Sequence, residues 1–214
     1  MLDRRLHMVN SQLRTGGVVD KALLAAFLGT PRQRFVAPEF ESLAYLDREL
    51  PARGGTRRKL MEPLALARML QAAAVVPGYR VLNVAGGSGY CAAVLDAMGA
   101  KVTMLEADSA AAAAARAELK GRANVAVVEG SLDKGADGRG PFDLIVVEGA
   151  FAVSPDSLLA LLADPGRLVG VDASQAPPQA VLYEKAGTAL SRRPLFETAV
   201  GVLDGFQPQV SFAF

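Results

Sequence analysis

The chain has 214 residues, 51% of them hydrophobic, so it can bury the core of one domain. Its 23 lysines and arginines nearly balance 22 aspartates and glutamates, so no overall field favours nucleic acid or a membrane surface. Cys91 and His7 are the single cysteine and histidine, which excludes an internal disulfide and a zinc site of the usual ligands. No stretch reaches the roughly 20 apolar residues of a membrane span. We therefore expect one compact cytoplasmic unit with no resident metal.

The first 62 residues are predicted to form an N-terminal helical cap and a loop. Two helical stretches lie within residues 3–29, and Gly16 and Gly17 separate them. Prolines at positions 31, 38 and 51 prevent any long element between residues 30 and 55. A basic loop, residues 56–59, then leads to Pro63, which suits the first turn of a helix.

Residues 63–214 are predicted to form the core, because strand and helix patterns alternate there. This alternation indicates an α/β fold with a parallel sheet and helices on both faces. The predicted strands are 80–84, 101–105, 125–128, 142–147, 167–171, 180–184 and 210–214, and the predicted helices are 91–98, 109–119 and 157–162. Asp108 or Ser109 suits the N-cap of the alanine-rich helix. Late strands separated by turn residues indicate an antiparallel hairpin at the sheet edge.

The most informative stretch is an apolar strand that opens into a glycine turn. Glycines let the backbone pass close beside a ligand, and the following helix offers its N-terminus. Glu106, one strand later, can accept hydrogen bonds from both hydroxyls of a ribose. The pattern predicts a nucleotide pocket whose turn consists of Ala85, Gly86, Gly87, Ser88 and Gly89.

The same turn also satisfies a second nucleotide motif. Residues 87–92 fit the Gly-x-Gly-x-x-Ala pattern of nicotinamide-dependent oxidoreductases, and Glu106 follows about 20 residues after it. The helical segment ahead of the nucleotide unit and the late hairpin argue against this alternative.

Ordered motifs extend from the N-terminal helix to the region around Val171. They include Met8-Val9 with Gln12-Leu13, Pro31-Arg32 with Phe35-Val36, Leu50-Pro51, Gly87-Ser88-Gly89-Tyr90, and Pro141-Phe142-Asp143. Together these motifs resemble the protein L-isoaspartyl O-methyltransferase family. The resemblance implies a doubly wound, Rossmann-like class I methyltransferase sheet that binds S-adenosylmethionine and releases S-adenosylhomocysteine. It also implies methylation of an isoaspartyl carboxylate in a damaged protein, which is a repair reaction.

Three cofactor positions differ from the family pattern. The family usually carries an acid at Asn83, a glycine at Ala85 and an aspartate at Ser131. A carboxylate at the first position helps to hold the cofactor's ammonium, a contact worth roughly 1.5 to 3 kcal/mol, so Asn83 predicts weaker binding. Ala85 adds a methyl group where the turn approaches the ligand, and Ser131 still offers the adenine amino group an uncharged acceptor.

The substrate loop differs most from the family pattern. The resemblance implies a threonine and a serine near the methyl donor, as the catalytic positions of the loop. Thr56 corresponds to the threonine, whereas the serine position falls on Met61 or Arg58, which have no hydroxyl. Arg57, Arg58 and Lys59 could clamp an anionic substrate, since guanidinium groups pair bidentately with carboxylates. A solvated charged loop is the alternative.

Glu148 ends a predicted strand at the carboxyl edge of the sheet. There it would face the cofactor cleft and hold the sulfonium or a cationic substrate, although an exposed loop acid is equally compatible with the pattern. The expected acceptor is an isoaspartyl protein or peptide, or another anionic molecule. A non-catalytic relative that keeps the fold for binding or regulation remains the alternative to an enzyme.

Overall fold

The structure is a computed structural model that describes residues 2–54, 57–136 and 138–208. Its α-helices are α1 (Leu2–Met8), α2 (Lys21–Gly29), α3 (Pro63–Ala73), α4 (Tyr90–Ala97), α5 (Ser109–Glu118) and α6 (Asp156–Leu159), and short 3-10 helices span Arg32–Arg34, Pro38–Leu43 and Leu132–Lys134. Its strands are β1 (Leu50–Pro51), β2 (Lys59–Leu60), β3 (Arg80–Val84), β4 (Lys101–Glu106), β5 (Val125–Glu129), β6 (Phe142–Phe151), β7 (Leu162–Asp172), β8 (Gln179–Ala186) and β9 (Ala189–Glu197).

Seven strands form the main sheet in the order β5-β4-β3-β6-β7-β8-β9. Strands β3 to β7 pair in parallel, and β8 and β9 add two antiparallel strands at one edge. This arrangement confirms the predicted α/β sheet and the antiparallel edge. The strand order reverses between β3 and β6, and ligands of open α/β sheets bind at such a switch point, beyond the carboxyl ends of the strands.

The sequence prediction missed β9. This strand pairs with β8 along its whole length, yet most of its residues are exposed and it contains Arg192, Arg193 and Pro194. Charged residues and proline protect an edge strand from pairing with other chains, and they also remove the apolar alternation that reveals a strand. The predicted tail strand, 210–214, lies outside the described residues.

Several predicted boundaries were wrong, and β7, which was predicted to begin at residue 167, begins at Leu162. Strand β6 continues beyond residue 147 to Phe151, because Ala150 and Phe151 pair with Val171 and Asp172 of β7 after a register shift. Helix α6 spans four residues and ends at Leu159, since Leu162 already pairs with Phe142 as the first residue of β7.

The predicted cap packs against the core. Helix α1 continues through a π-helical turn, Val9–Leu13, and Asp20 caps α2 by accepting the N–H groups of Ala22 and Leu23. Phe27 and Phe35 pack against the ring of Tyr90 at the start of α4. One cluster of buried hydrophobic side chains includes residues from both predicted parts, so they share a core. The division at residue 62 stays a prediction.

The helices of the described ranges are short. None of them is long and apolar enough to span a membrane.

Candidate functional site

The turn between β3 and α4 has a backbone conformation that favours glycine at two positions. Gly87 and Gly89 have φ values of 57° and 94°, in the left-handed region that favours glycine. A Cβ atom on Gly86 would lie 2.6 Å from Oδ1 of Asn83 and 2.8 Å from Cγ of Met104, so a side chain would clash there. The turn therefore lies directly on the side chains below it.

Ala85 has a strained backbone conformation in this turn. Its φ is 60°, and its N–H donates to the carbonyl of Leu105 at 2.9 Å, which holds the residue in the left-handed region. An L-residue with a Cβ is disfavoured there by about 1 to 2 kcal/mol, whereas glycine is not. The resemblance implies a glycine at this position, and the observed φ gives the physical reason.

We expect Ala85→Gly to raise the free energy of unfolding by roughly 0.5 to 1 kcal/mol, because relief of the backbone strain exceeds the entropy that glycine adds to the unfolded chain. Urea unfolding measures the change. Ala113→Gly is the control, since Ala113 is exposed within α5 and a glycine in a helix lowers stability by about 1 kcal/mol. A loss of stability in both variants would contradict the strain at Ala85.

Glu106 lies against this turn at the carboxyl end of β4. Its side chain is fully buried, and its Oε2 accepts the N–H of Gly87 at 2.8 Å. Its Oε1 accepts the N–H groups of Ala107 and Asp108 at 2.8 and 2.9 Å. Three main-chain donors thus hold a buried carboxylate at the place that the sequence predicted for the ribose acid, and the ribose role itself stays a prediction.

Arg58 pairs with this carboxylate. Its Nε lies 2.8 Å from Oε1 of Glu106, and the two side chains are 12% and 0% exposed. The three basic residues of the predicted loop therefore differ in exposure. Arg57 and Lys59 are exposed, whereas Arg58 is partly buried. Thr56 lies outside the described residues.

The segment around Arg58 covers the glycine turn. A Cβ atom built on Gly87 would be 3.4 Å from Cβ of Ala52, 3.7 Å from Cδ2 of Leu60 and 3.9 Å from Cβ of Arg58. Leu60 belongs to β2, which pairs with β1 and so fixes the two ends of the loop. The loop thus contacts the surface on which a nucleotide is expected to bind.

Asn83 and Glu148 meet across the switch point between β3 and β6. Nδ2 of Asn83 donates to Oε1 of Glu148 at 2.9 Å, and both side chains are buried. Oδ1 of Asn83 is buried and has no hydrogen-bond partner among the described residues. Glu148 is therefore not the exposed loop acid of the alternative reading, and Asn83 retains one unused acceptor.

The carboxyl group of Glu148 holds its proton tightly. Burial raises its pKa from 4.5 to about 7, and the negative charge of Glu106 adds to this increase. The hydrogen bond from Asn83 and the positive charges of Arg32 and Arg58 lower the pKa in part. Near neutral pH, Glu148 is consequently present in both protonation states.

A cavity of about 120 Å³ opens beside Glu148. Its lining includes Met61, Arg58, Lys59, Glu49 and residues 200–203. The last segment runs beside β6 beyond the end of β3, where Ala150 donates to the carbonyl of Gly201 at 2.9 Å. Met61, the predicted position of the family serine, is thus brought beside Glu148 without a hydroxyl group.

The two serines of the predicted site have other partners. Ser88 is buried, and its hydroxyl donates to the carbonyl of Phe35 in the cap, so the prediction for Ser88 concerns its main chain. The exposed Ser131 donates to Asp133, two residues further on. Asp133 was not predicted from the sequence, although an acid two residues after Ser131, where the family usually has an aspartate, was a visible signal.

The environment of Arg32 was also not predicted from the sequence. Its guanidinium is fully buried 5.1 Å from the centre of the Tyr90 ring, and its Nη2 donates to the carbonyl of Arg48 at 3.4 Å. Burial lowers the pKa of Arg32, while the charges of nearby groups, Glu148 among them, raise it. No periodicity reveals a buried arginine, because a charged residue is normally exposed.

Comparisons with known proteins match nearly the whole chain. Residues 4–197 match the family model of protein-L-isoaspartate(D-aspartate) O-methyltransferase. The protein-L-isoaspartate O-methyltransferase of Gloeobacter violaceus is 40% identical over 189 residues, which cover 87% of this chain and 88% of the relative. That of Koribacter versatilis is 38% identical over 167 residues, covering 77% of this chain and 74% of the relative.

Solved structures show the same fold. A protein-L-isoaspartate O-methyltransferase superposes with a TM-score of 0.82 at 24% identity, covering 94% of this chain and 66% of the other. A Plasmodium falciparum structure described as this type of methyltransferase, in complex with S-adenosyl-L-homocysteine, superposes with a TM-score of 0.78 at 19% identity, covering 94% of this chain and 98% of the other. With its sheet, its glycine turn and these matches, the chain belongs to the protein-L-isoaspartate(D-aspartate) O-methyltransferase family.

Proposed function

We propose that this protein is an S-adenosylmethionine-dependent carboxyl O-methyltransferase that acts on isoaspartyl residues of damaged proteins. The observation that carries the proposal is the buried carboxylate of Glu106, held by the N–H of Gly87 at the end of β4 in a member of this family. A carboxylate there suits the two hydroxyls of a ribose.

The residues of the site fit this cofactor in three respects. Glu106 would accept hydrogen bonds from the ribose, and the unpartnered Oδ1 of Asn83 would accept one from the ammonium group. Ser131 and Asp133 would lie beside the adenine amino group, where Asp133 supplies the charge that Ser131 lacks. Asn83 is neutral, so we expect weaker cofactor binding than an acid would give.

The chemistry requires alignment more than proton transfer. When bound, S-adenosylmethionine supplies an electrophilic methyl group. The acceptor carboxylate is already ionised near neutral pH, so the protein has to orient it and exclude water. The cavity beside Glu148 and Met61 is our candidate for the acceptor site, with Arg58 and Lys59 as the nearby cations.

A non-catalytic binding protein is the second candidate. Two observations favour it, namely the ion pair that Arg58 makes with Glu106 and the absence of a hydroxyl at Met61. Such a protein would keep the family fold without methyl transfer.

The partner and the compartment are also part of the proposal. We propose an isoaspartyl protein or peptide, or another anionic acceptor, in the cytoplasm. The near balance of charges supports the exclusion of nucleic acid as a partner.

Methyl transfer to a defined peptide tests the proposal. The purified protein is incubated with methyl-labelled S-adenosylmethionine and a peptide that contains one isoaspartate, and the aspartyl peptide of the same sequence is the control. We expect a base-labile methyl ester on the isoaspartyl peptide and none on the control. Folded protein that binds S-adenosylhomocysteine but transfers no methyl group would favour the non-catalytic candidate.

A further inference from the structure

Arg58 lies between the cofactor part of the candidate site, at Glu106, and the acceptor part, at the cavity beside Glu148. Its guanidinium pairs with Glu106 on the cofactor side, and the same residue lines the cavity beside Glu148 on the acceptor side. The side chain of arginine is long and has several rotatable bonds, so its guanidinium can face either side. One cation therefore stands between two places where the proposed reaction uses a carboxylate.

Arg58 and a ribose would compete for the carboxylate of Glu106. Its Oε1 already accepts from Arg58 and from two main-chain N–H groups, and its Oε2 accepts from Gly87. A carboxylate offers about four acceptor positions, two on each oxygen. Four donors already use this number of positions, so the hydroxyls of a ribose would compete with Arg58 for Glu106.

The charges of the cavity then favour an anion. Among the described residues that line it, Lys59 pairs with Glu49 at 3.3 Å, so these two charges largely offset each other. Glu148 accepts from Asn83, and burial raises its pKa to about 7, which reduces its negative charge. A guanidinium released from Glu106 would be the unpaired charge facing this space.

We propose that Arg58 determines acceptor specificity in the proposed methyltransferase, pairing with Glu106 in the empty protein and, once Glu106 binds the cofactor's ribose, turning to bind the acceptor carboxylate. This inference rests on the proposed function. It assigns a guanidinium, which binds carboxylates bidentately, to the task for which the family resemblance implies a hydroxyl at Met61. Cofactor binding would thus precede acceptor binding.

The first measurement is the calorimetric affinity for S-adenosylhomocysteine. We expect Arg58→Met to tighten binding about tenfold, because the binding-competent state no longer requires the buried ion pair to break. Methionine keeps the apolar stem that packs over Gly87. Arg57→Met is the matched control, since it removes the same charge from an exposed position of the same loop, and we expect its affinity to stay within about twofold of the wild type.

The second measurement is the affinity of the complex with S-adenosylhomocysteine for the isoaspartyl peptide, which requires no turnover. We expect Arg58→Met to weaken peptide binding by about tenfold to a hundredfold, the loss typical of a charge-assisted hydrogen bond. If Arg58 only stabilised the fold, Arg58→Met would weaken the binding of both ligands. Opposite changes in the two affinities are therefore the signature of the proposal.

One further variant keeps the inference testable if Arg58→Met does not fold. Thermal unfolding establishes that Arg58→Met is folded, and if it is not, Arg58→Lys should show the same signs with smaller changes, because it keeps a charge but loses the planar fork. Equal or weaker cofactor binding in the Arg58 variants, or unchanged peptide binding, would overturn the inference while leaving methyl transfer by the wild type intact. Failure of the wild type and all variants to bind S-adenosylhomocysteine would instead refute the proposed function.

Discussion

Replacing Glu106 by glutamine is expected to lower the free energy of unfolding by about 3 kcal/mol and to abolish measurable binding of S-adenosylhomocysteine. The carboxylate is fully buried and accepts four hydrogen bonds, one of them from Arg58. The amide of glutamine would present N–H groups to main-chain donors and leave the guanidinium of Arg58 without its charge partner. Loss of one member of a buried ion pair leaves an uncompensated charge, which accounts for the large effect.

Glu129→Gln is the matched control for this variant. Glu129 ends β5 and is the register partner of Glu106 on the neighbouring strand, but its side chain is 41% exposed. Exposed substitutions of this kind change stability by less than about 0.5 kcal/mol. Chemical unfolding measures the stability of both variants and calorimetry measures their cofactor affinity. If Glu106→Gln matched the control in both experiments, Glu106 could be neither a buried anchor nor the ribose acid.

Glu148→Gln is expected to make the protein more stable at alkaline pH. The folded-state pKa of Glu148 is about 7 and the ordinary value is 4.5, so the folded protein binds this proton more tightly than the unfolded chain. The stability that the proton contributes is fully present below the unfolded pKa and is lost as the pH rises through 7. A glutamine has no proton to lose, and its Oε1 can still accept from Asn83.

The expected size of this effect follows from the pKa difference. The advantage of Glu148→Gln should grow from less than about 1 kcal/mol at pH 5 to roughly 3 kcal/mol at pH 8.5. Urea unfolding of both proteins across this range measures it, and the difference between them removes the titration of all other groups. Parallel profiles of the two proteins would show that Glu148 ionises as an ordinary carboxyl group.

Most of the local elements and their order could be predicted from the sequence, although β9 could not. Strand β3 was predicted with its observed bounds, and Asp108, one of the two predicted N-cap residues, caps α5, because periodicity and capping depend on residues close in the chain. The glycine turn was also readable, since positive φ values are a property of individual residues. The position of Glu106 beside Gly87 followed from the parallel order of β3 and β4, whose carboxyl ends lie together.

The roles of the charged residues, in contrast, depend on the tertiary structure. The sequence marked Arg58 as one of several basic loop residues, but its pairing with Glu106 connects positions 48 residues apart. The pKa of Glu148 is raised because other segments bury its side chain. The contact of Arg32 with the ring of Tyr90 likewise joins distant parts of the chain. Desolvation and nearby charges set the pKa and the pairing of a charged group, and both depend on which distant segments fold against it.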